Sequence, residues 1–520
     1  MTDSRGSTAD LVVVEAKLWD GHALEDEALS VTHGRITARG SSREMLELAG
    51  PTTTVIDAGR RRLIPGLIDS HLHLVRGGRT WDVEVRWDDH QSLGEALEAI
   101  SIRAGELGPG RWVAVVGGWH PNQFEERRMP RRADLDRAAP DNPVFVQRAY
   151  AESLANSRAM MEMGWSDREA PGGQVTGQPE MAALRARLSV VDDTSASAGT
   201  VSLFRELNRL GVTGAIDASG FGVNVDSYSA FMSVYSDGER GFRSRLLCAA
   251  PSPGTEFDEL KRWTERVSLE SGNEFVHHLG AGEIIDYGSH DMEGLAPKDI
   301  TDRLEPLRQV SEMLAGKAWP VHCHAILDKS IDVVLEAWST LGPETLSRLR
   351  FTICHADQIG EDNLARVRDL GIGITIQNGM SMRGIDCLPT WGEDGITRAP
   401  PVRSMLDLGI PVAAGSDGTV ACAYNPWRGV EWLVTGRSVD GAPPRVESER
   451  VGRDEALSLY TGRAAWFSFE EETRGNLATG SHADFALLSE DPLDVSDESL
   501  SAIQSVLTVV GGEDVHSTLG

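Results

Sequence analysis

Residues 62–74 read RLIPGLIDSHLHL. Apolar side chains recur through the run without a helical period, and proline and glycine interrupt it at 65–66. A short apolar run with such punctuation reads as a buried strand. It closes on His-Leu-His. Residues i and i+2 of a strand share a face, so His71 and His73 are expected to aim at one point while Leu72 turns away.

Seven further apolar runs follow: GVTGAIDA (211–218), RSRLLCAA (243–250), HHLGAGEII (277–285), WPVHCHA (319–325), RFTICHA (350–356), GIGITIQ (371–377) and IPVAAGS (410–416). Helix-like segments such as 300–316 and 330–342 lie between several of them. Strand and helix alternating eight times predicts an α/β fold built on a (β/α)₈ barrel.

The stretch between 74 and 211 is too long for a loop inside a compact domain. It contains strand-like VAVVGGW (113–119) and PVFVQR (143–148) and a helix-like segment at 92–107. An inserted α/β subdomain over 80–205 is therefore expected. Short β-like runs at 11–16, 29–38 and 53–57 match others at 484–489 and 503–510. They predict a small β-sandwich domain drawn from both ends, 1–62 and 470–520. The barrel then takes 63–79 and 206–469.

The chain has a net charge of −29, which opposes nucleic-acid binding and attachment to anionic lipid. Its five cysteines are scattered without a CxxC, and its first residues are polar. These features predict reduced thiols and a cytoplasmic protein. Homo-oligomerisation is left open.

In such a barrel, catalytic groups sit at the C-terminal ends of the strands. His71 and His73 end the first run, His324 the fifth and His355 the sixth, and Asp417 follows the eighth. Imidazoles and carboxylates suit Zn²⁺ and related divalent ions. Such an ion lowers the pKa of bound water to about 7. Asp417, in AAGSDG, fits a carboxylate that takes the water proton and later returns it to a leaving amine.

GLIDSHLHL, WPVHCHA, FTICHAD, PVAAGSD and the late ADFALL resemble motifs of the amidohydrolase superfamily. The likeness runs over about 10–515. It points to the branch with a large insertion after the first strand, which includes N-substituted formamide deformylases. The resemblance implies a metal-dependent hydrolase of non-peptide C–N bonds, in an amide, formamide, carbamate or cyclic amide. It implies His71, His73, His324, His355 and Asp417 as ligands of one or two divalent ions, with Zn²⁺ ahead of Mn²⁺, Fe²⁺ or Co²⁺. Asp417 would also shuttle the proton. A metal-dependent decarboxylase and a non-catalytic relative are the alternatives.

Many binuclear relatives carry a strand-four lysine whose carbamate bridges two metals. The five lysines here are Lys17, Lys261, Lys298, Lys317 and Lys329, and none lies on run four. Glu283 stands there, in GAGEII. A carboxylate resembles the carbamate on a shorter arm, so Glu283 is read as a ligand rather than a solvated strand end. His324 and His355 are expected to share one ion and His71 and His73 the other, with Glu283 between. Trp119 and His120 in GGWHPNQF, Tyr150, Asn378, Arg383 and Trp427 are candidate substrate contacts. His277, His278 and His322 read as packing residues. Neither GxGxxG after a strand nor GxSxG is found.

Overall fold

The computed structural model describes residues 8–519 except 189–190, 221–222, 224, 251, 270 and 293–298. The 62–74 run divides into two strands. Arg62–Pro65 pairs antiparallel with Phe485–Leu488, and Leu67–Leu72 (β1) enters a parallel sheet. Gly66 is the joint. A Cβ there would lie 2.2 Å from Thr213 Oγ1, so the crossing needs a residue without a side chain.

Each of the eight predicted runs overlaps a strand of the two parallel sheets. After β1 come β2 (Val212–Asp217), β3 (Arg243–Cys248) and β4 (Val276–Ala281). Then follow β5 (His322–Leu327), β6 (Thr352–Gln358), β7 (Gly373–Gln377) and β8 (Val412–Gly415). β1 to β4 form one four-stranded parallel sheet in chain order, and β5 to β8 a second. A parallel bridge between Ala281 and Val321 joins the sheets on one side. On the other, the Asp417 N–H donates to the His71 carbonyl at 2.9 Å and the Ser416 N–H to Asp69 Oδ1 at 3.0 Å. Helices separate the strands, among them Leu74–Thr80, Leu304–Gly316, Asp328–Ser339, Glu361–Leu370 and Pro426–Thr435. The strands are buried on both faces, which explains their near-continuous apolar runs.

Both ends of the chain meet in a pair of β-sheets. One takes the order 35–40, 28–32, 9–14, 49–57, and the other 17–18, 62–65, 485–488, 505–510, 513–517. A shared apolar layer including Val13, Leu29, Ile36, Leu63, Phe485 and Leu507 lies between them. The stretch after β1 holds a separate five-stranded sheet, ordered 174–175, 152–155, 144–148, 113–116, 84–85. Position 205 falls inside the helix Asp193–Arg209, which leads directly into β2. Among the described residues, no helix is long and apolar enough to cross a membrane.

Buried ion pairs tie the terminal sheet to β3. Arg243 reaches Asp484 through Nε (2.7 Å) and Nη2 (3.0 Å). Arg245, two residues along the same strand, grips Glu470 through Nε (2.9 Å) and Nη2 (2.5 Å), and Arg474 Nη1 joins at 2.8 Å. Burial alone would raise the Glu470 carboxyl, but the Arg474 and Arg245 guanidiniums outweigh it and hold it below the usual carboxylate range. The unfolded chain therefore binds this proton more readily than the folded one. The stabilisation is fully present above the unfolded value of about 4.3 and is lost as pH falls toward the folded one. Glu470→Gln is expected to cost about 3–5 kcal/mol at pH 7, because it leaves two buried guanidiniums short of a partner. Urea unfolding of parent and variant at pH 7 and pH 3 checks this, since the gap between them should narrow at the lower pH.

Candidate metal centre

His71 sits near the C-terminal end of β1, with its side chain 1% exposed. His73 lies just past the strand, at the start of the helix Leu74–Thr80, so the same-face strand argument covers only the first of the pair. Their rings still meet edge to face at 5.5 Å. His324 lies on β5 and His355 on β6, while Glu283 follows the end of β4 and Asp417 the end of β8. Ser219, His355, Ala356 and Asp417 all have positive φ, between 54° and 76°. Such conformations are costly for non-glycine residues and gather where function holds the backbone. Here they fall beyond or near the C-terminal ends of β2, β6 and β8.

Glu283 is the hub. Its Oε2 lies 3.3 Å from His324 Nδ1, 3.4 Å from His355 Nε2 and 3.4 Å from His71 Nε2, and its Oε1 lies 3.7 Å from His73 Nε2. Asp417 Oδ1 lies 3.1 Å from His73 Nε2 and 3.9 Å from His71 Nε2. Donor atoms of His71, His73 and Asp417 lie within 4.8 Å of one another, and so do those of His71, Glu283 and His355. His71 is thus common to both groups. His324 and His355 also adjoin, with ring centroids 4.4 Å apart, and His324 Nε2 meets the Asp291 carbonyl at 2.7 Å. That contact leaves His324 Nδ1 turned to Glu283.

The electrostatics call for a cation. Burial opposes a charged His73, yet Asp417 and Glu283 outweigh it and carry the imidazole up to about 9. Burial also opposes a charged His324, and Asp291 and Glu283 pull it above its ordinary value. His71 goes the other way, pushed well down by burial. Both of its ring nitrogens are buried without a hydrogen-bond partner among the described residues. Buried carboxylates need a positive partner, and the neutral His71 imidazole beside them offers a divalent ion a lone pair. The residues present therefore fit a divalent metal. Oxygen and imidazole donors without thiolate suit Zn²⁺, Mn²⁺, Fe²⁺ or Co²⁺.

A model of the Amidohydrolase family matches residues 54–516. The chain belongs to that family. It is 25% identical to an N-substituted formamide deformylase of Arthrobacter pascens, over 97% of each chain. Among solved structures it is similar to a metal-dependent hydrolase from Pyrococcus furiosus, with a TM-score of 0.67 and 22% identity, covering 93% of this chain and 100% of that one. It is also similar to a mutant atrazine chlorohydrolase of Arthrobacter aurescens TC1 complexed with zinc and atraton. That match has a TM-score of 0.54 and 17% identity over 98% and 97% of the two chains. A metal-dependent hydrolase is what the family and these relatives support.

The amidohydrolase places the remaining predicted residues unevenly. Tyr150 lines the cavity that opens onto Asp417, as does Arg383. Trp427 does not form an aromatic wall there. It is fully buried in the main core, its indole N–H donating to the Leu210 carbonyl at 2.9 Å. Trp119 packs inside the inserted sheet, edge to face with Trp87 at 4.9 Å, and donates to the Gln147 carbonyl at 3.0 Å. His120 accepts from the Asn122 N–H at 3.2 Å and faces Asp386. The neighbouring Gly-Gly has a packing role, since a Cβ on Gly117 would lie 1.9 Å from the Val420 carbonyl oxygen. The insertion thereby presses on the loop that follows Asp417. Asn378 is buried and is not among the cavity-lining residues. His322 is a buried packing residue on β5, and burial pushes its imidazole down to about 3.

Sequence reasoning passed over the residues that hold these donors in place. Asp69 accepts from the His71 and Ser416 N–H groups, so it joins the ends of β1 and β8. Asp217 accepts from the Val75 and Ser219 N–H groups, and the Ser219 carbonyl receives His73 Nδ1 at 2.6 Å. Asp291 accepts from the Ile326 and Leu327 N–H groups while its own carbonyl holds His324. Metal-binding histidines are commonly oriented by such contacts. The available signal was LIDSH and AIDAS, which place Asp69 inside β1, two residues before His71, and Asp217 at the end of β2.

Proposed function

We propose that this chain is a divalent-metal hydrolase that cleaves a non-peptide C–N bond, in an amide, formamide, carbamate or cyclic amide of a small molecule. One observation carries the reading. Asp417 is hydrogen-bonded to His73 within a donor cluster, and it also lines a cavity of about 960 Å³. A cavity of that size accepts a drug-sized molecule.

The two parallel sheets are read as one (β/α)₈ barrel over 63–79 and 206–469. The terminal sheets and the inserted sheet form separate units, 1–62 with 470–520, and 80–205. The terminal sheets and the inserted sheet each have an apolar layer of their own, which supports this division, while Trp19, Ala486 and Leu488 also pack into the main core. His71, His73, Glu283, His355 and Asp417 would hold the metal, with His324 completing the ring of donors around Glu283. An ion bound there supplies Lewis acidity and a nucleophilic oxygen at neutral pH. Asp417 takes a proton from the attacking water as the water oxygen bonds to the carbonyl carbon. It delivers that proton to the departing nitrogen as the C–N bond breaks, leaving an acid and an amine. The Asp417 N–H bond to the His71 carbonyl holds the end of β8 that carries this carboxylate in place. A small molecule is the only partner this reading requires, and the five buried free thiols support a cytoplasmic setting.

The test is a screen of the zinc-loaded protein against N-formyl, N-acyl and carbamate compounds, scoring released amine. Turnover of at least one class supports the proposal. Release of CO₂ without consumption of water would point to a decarboxylase instead. Removal of metal with a chelator should abolish turnover, and restoring Zn²⁺ or Mn²⁺ should return it.

A further inference from the structure

The strand faces turned away from the helices differ between the two parallel sheets. On β1 to β4, Ile68, Ile216, Leu247 and Leu279 make that face apolar. On β5 and β7 it is polar. Cys323 and Ala325 of β5, and Ile374 and Ile376 of β7, belong to the main core that the helices pack against. Residues that alternate with them face the other way, among them His322, His324 and Gln377. His324 reaches Glu283, so this is the side on which the metal donors lie.

His71 Nε2 faces Glu283 Oε2 at 3.4 Å and Asp417 Oδ1 at 3.9 Å, so Nε2 is the nitrogen offered to a metal. A neutral imidazole has one N–H and one lone pair, which puts the proton on Nδ1. Metal-binding histidines almost always donate that second N–H to an acceptor. His73 and His324 each have a backbone carbonyl for it, from Ser219 and Asp291. His71 Nδ1 is buried with no partner among the described residues. Both ring nitrogens of His322 and both amide atoms of Gln377 are in the same condition. Gln377 pairs in register with Gly415 of β8. A Cβ on Gly415 would lie 2.5 Å from the His71 backbone nitrogen and 2.8 Å from its Cβ, so His71 packs directly against that position. Gln377 is thus one strand spacing, about 4.8 Å, from the residue that His71 touches. The His322 ring is near enough for its charge to bear on that of His71. Unpaired buried polar groups are costly, and three side chains together call for a shared partner.

We propose that one buried water joins His71 to Gln377 and His322, which makes these two residues positioning residues for a metal ligand. The water accepts the His71 Nδ1–H. It donates to the Gln377 side-chain carbonyl and to the lone-pair nitrogen of His322. About three hydrogen bonds to otherwise unpaired groups is the usual complement of a buried water. Gln377 and His322 then fix the tautomer and ring angle of His71 without touching metal or substrate. The inference rests on the reading of His71 as a metal ligand and is independent of which bond the enzyme cleaves.

The test uses Gln377→Met and His322→Leu, which keep most of the volume and remove the polar atoms. Zinc affinity is read by competition with a chelator, and the visible spectrum of the cobalt-loaded protein reports the geometry of the ligands. Each variant should bind zinc about 10–100-fold more weakly, the loss usual for a group that orients a metal ligand, and should shift the cobalt bands. The double variant should lose little more than either single one, because both side chains act through the same water. Gln377→Glu keeps the acceptor oxygen and should keep the parental cobalt spectrum, which separates the hydrogen bond from general damage to the fold. Parental zinc affinity and spectrum in Gln377→Met overturn the proposal, and so do losses that add in the double variant. A parent that binds no zinc overturns the metal-ligand reading and the proposal with it, whereas tight zinc binding in the parent and equally in both variants overturns the proposal alone.

Discussion

Asp417→Asn is expected to lower kcat by about 10²–10⁴-fold, the usual contribution of a positioned general acid–base. Asparagine keeps the shape and can still face His73. It cannot take a proton from water, and so it has none to give to a departing nitrogen. The fall should lie in kcat more than in KM, because the lost interaction belongs to the transition state. Asp417 also belongs to a donor cluster with His71 and His73, so metal content must be measured on the same preparation. A variant that keeps its metal and loses turnover assigns the loss to proton transfer. A metal-loaded variant with near-parental kcat contradicts the assigned role.

Glu283→Gln should act on the metal itself. The Glu283 carboxylate lies within 3.3–3.7 Å of four imidazole nitrogens, those of His71, His73, His324 and His355. Removing its charge takes away the buried anion that serves both sides of the site. Loss of groups that merely orient metal ligands costs about 10–100-fold in metal affinity, and loss of this hub should exceed that. Metal content is expected to fall to one ion or none per chain, with activity falling in parallel. Bicarbonate should not restore it, because β4 offers no lysine to carbamylate. Plasma emission spectrometry of parent and variant, dialysed side by side, reads the result.

The eight parallel strands were legible because burial on both faces leaves an apolar run that needs no knowledge of neighbours. The same property hid the break at Gly66, since both halves of the 62–74 run are buried and apolar while serving different sheets. The donor cluster could be anticipated because histidines that end separate apolar runs of one parallel fold are brought to the same end of it. Glu283 was found by position, two residues past Ala281, even though the strand stops before it. His324 shows what a linear reading lacks. Its placement was expected, but its occupation by the Asp291 carbonyl depends on a contact across 33 residues. Trp427 and Trp119 were misassigned as substrate contacts for a similar reason. A tryptophan near a site motif looks alike in sequence whether it faces the cavity or, as here, sends its indole N–H to a buried carbonyl.

The account stands on where a metal sits. Diffraction data from crystals of the zinc-loaded protein, collected above the zinc absorption edge, would locate it directly. The predicted result is anomalous density about 2.0–2.2 Å from the donor atoms of His71, His73 and Asp417, with Glu283 and His355 turned toward the same centre. Density elsewhere, or a fully loaded site with Glu283 and Asp417 both pointing away from it, would contradict the account.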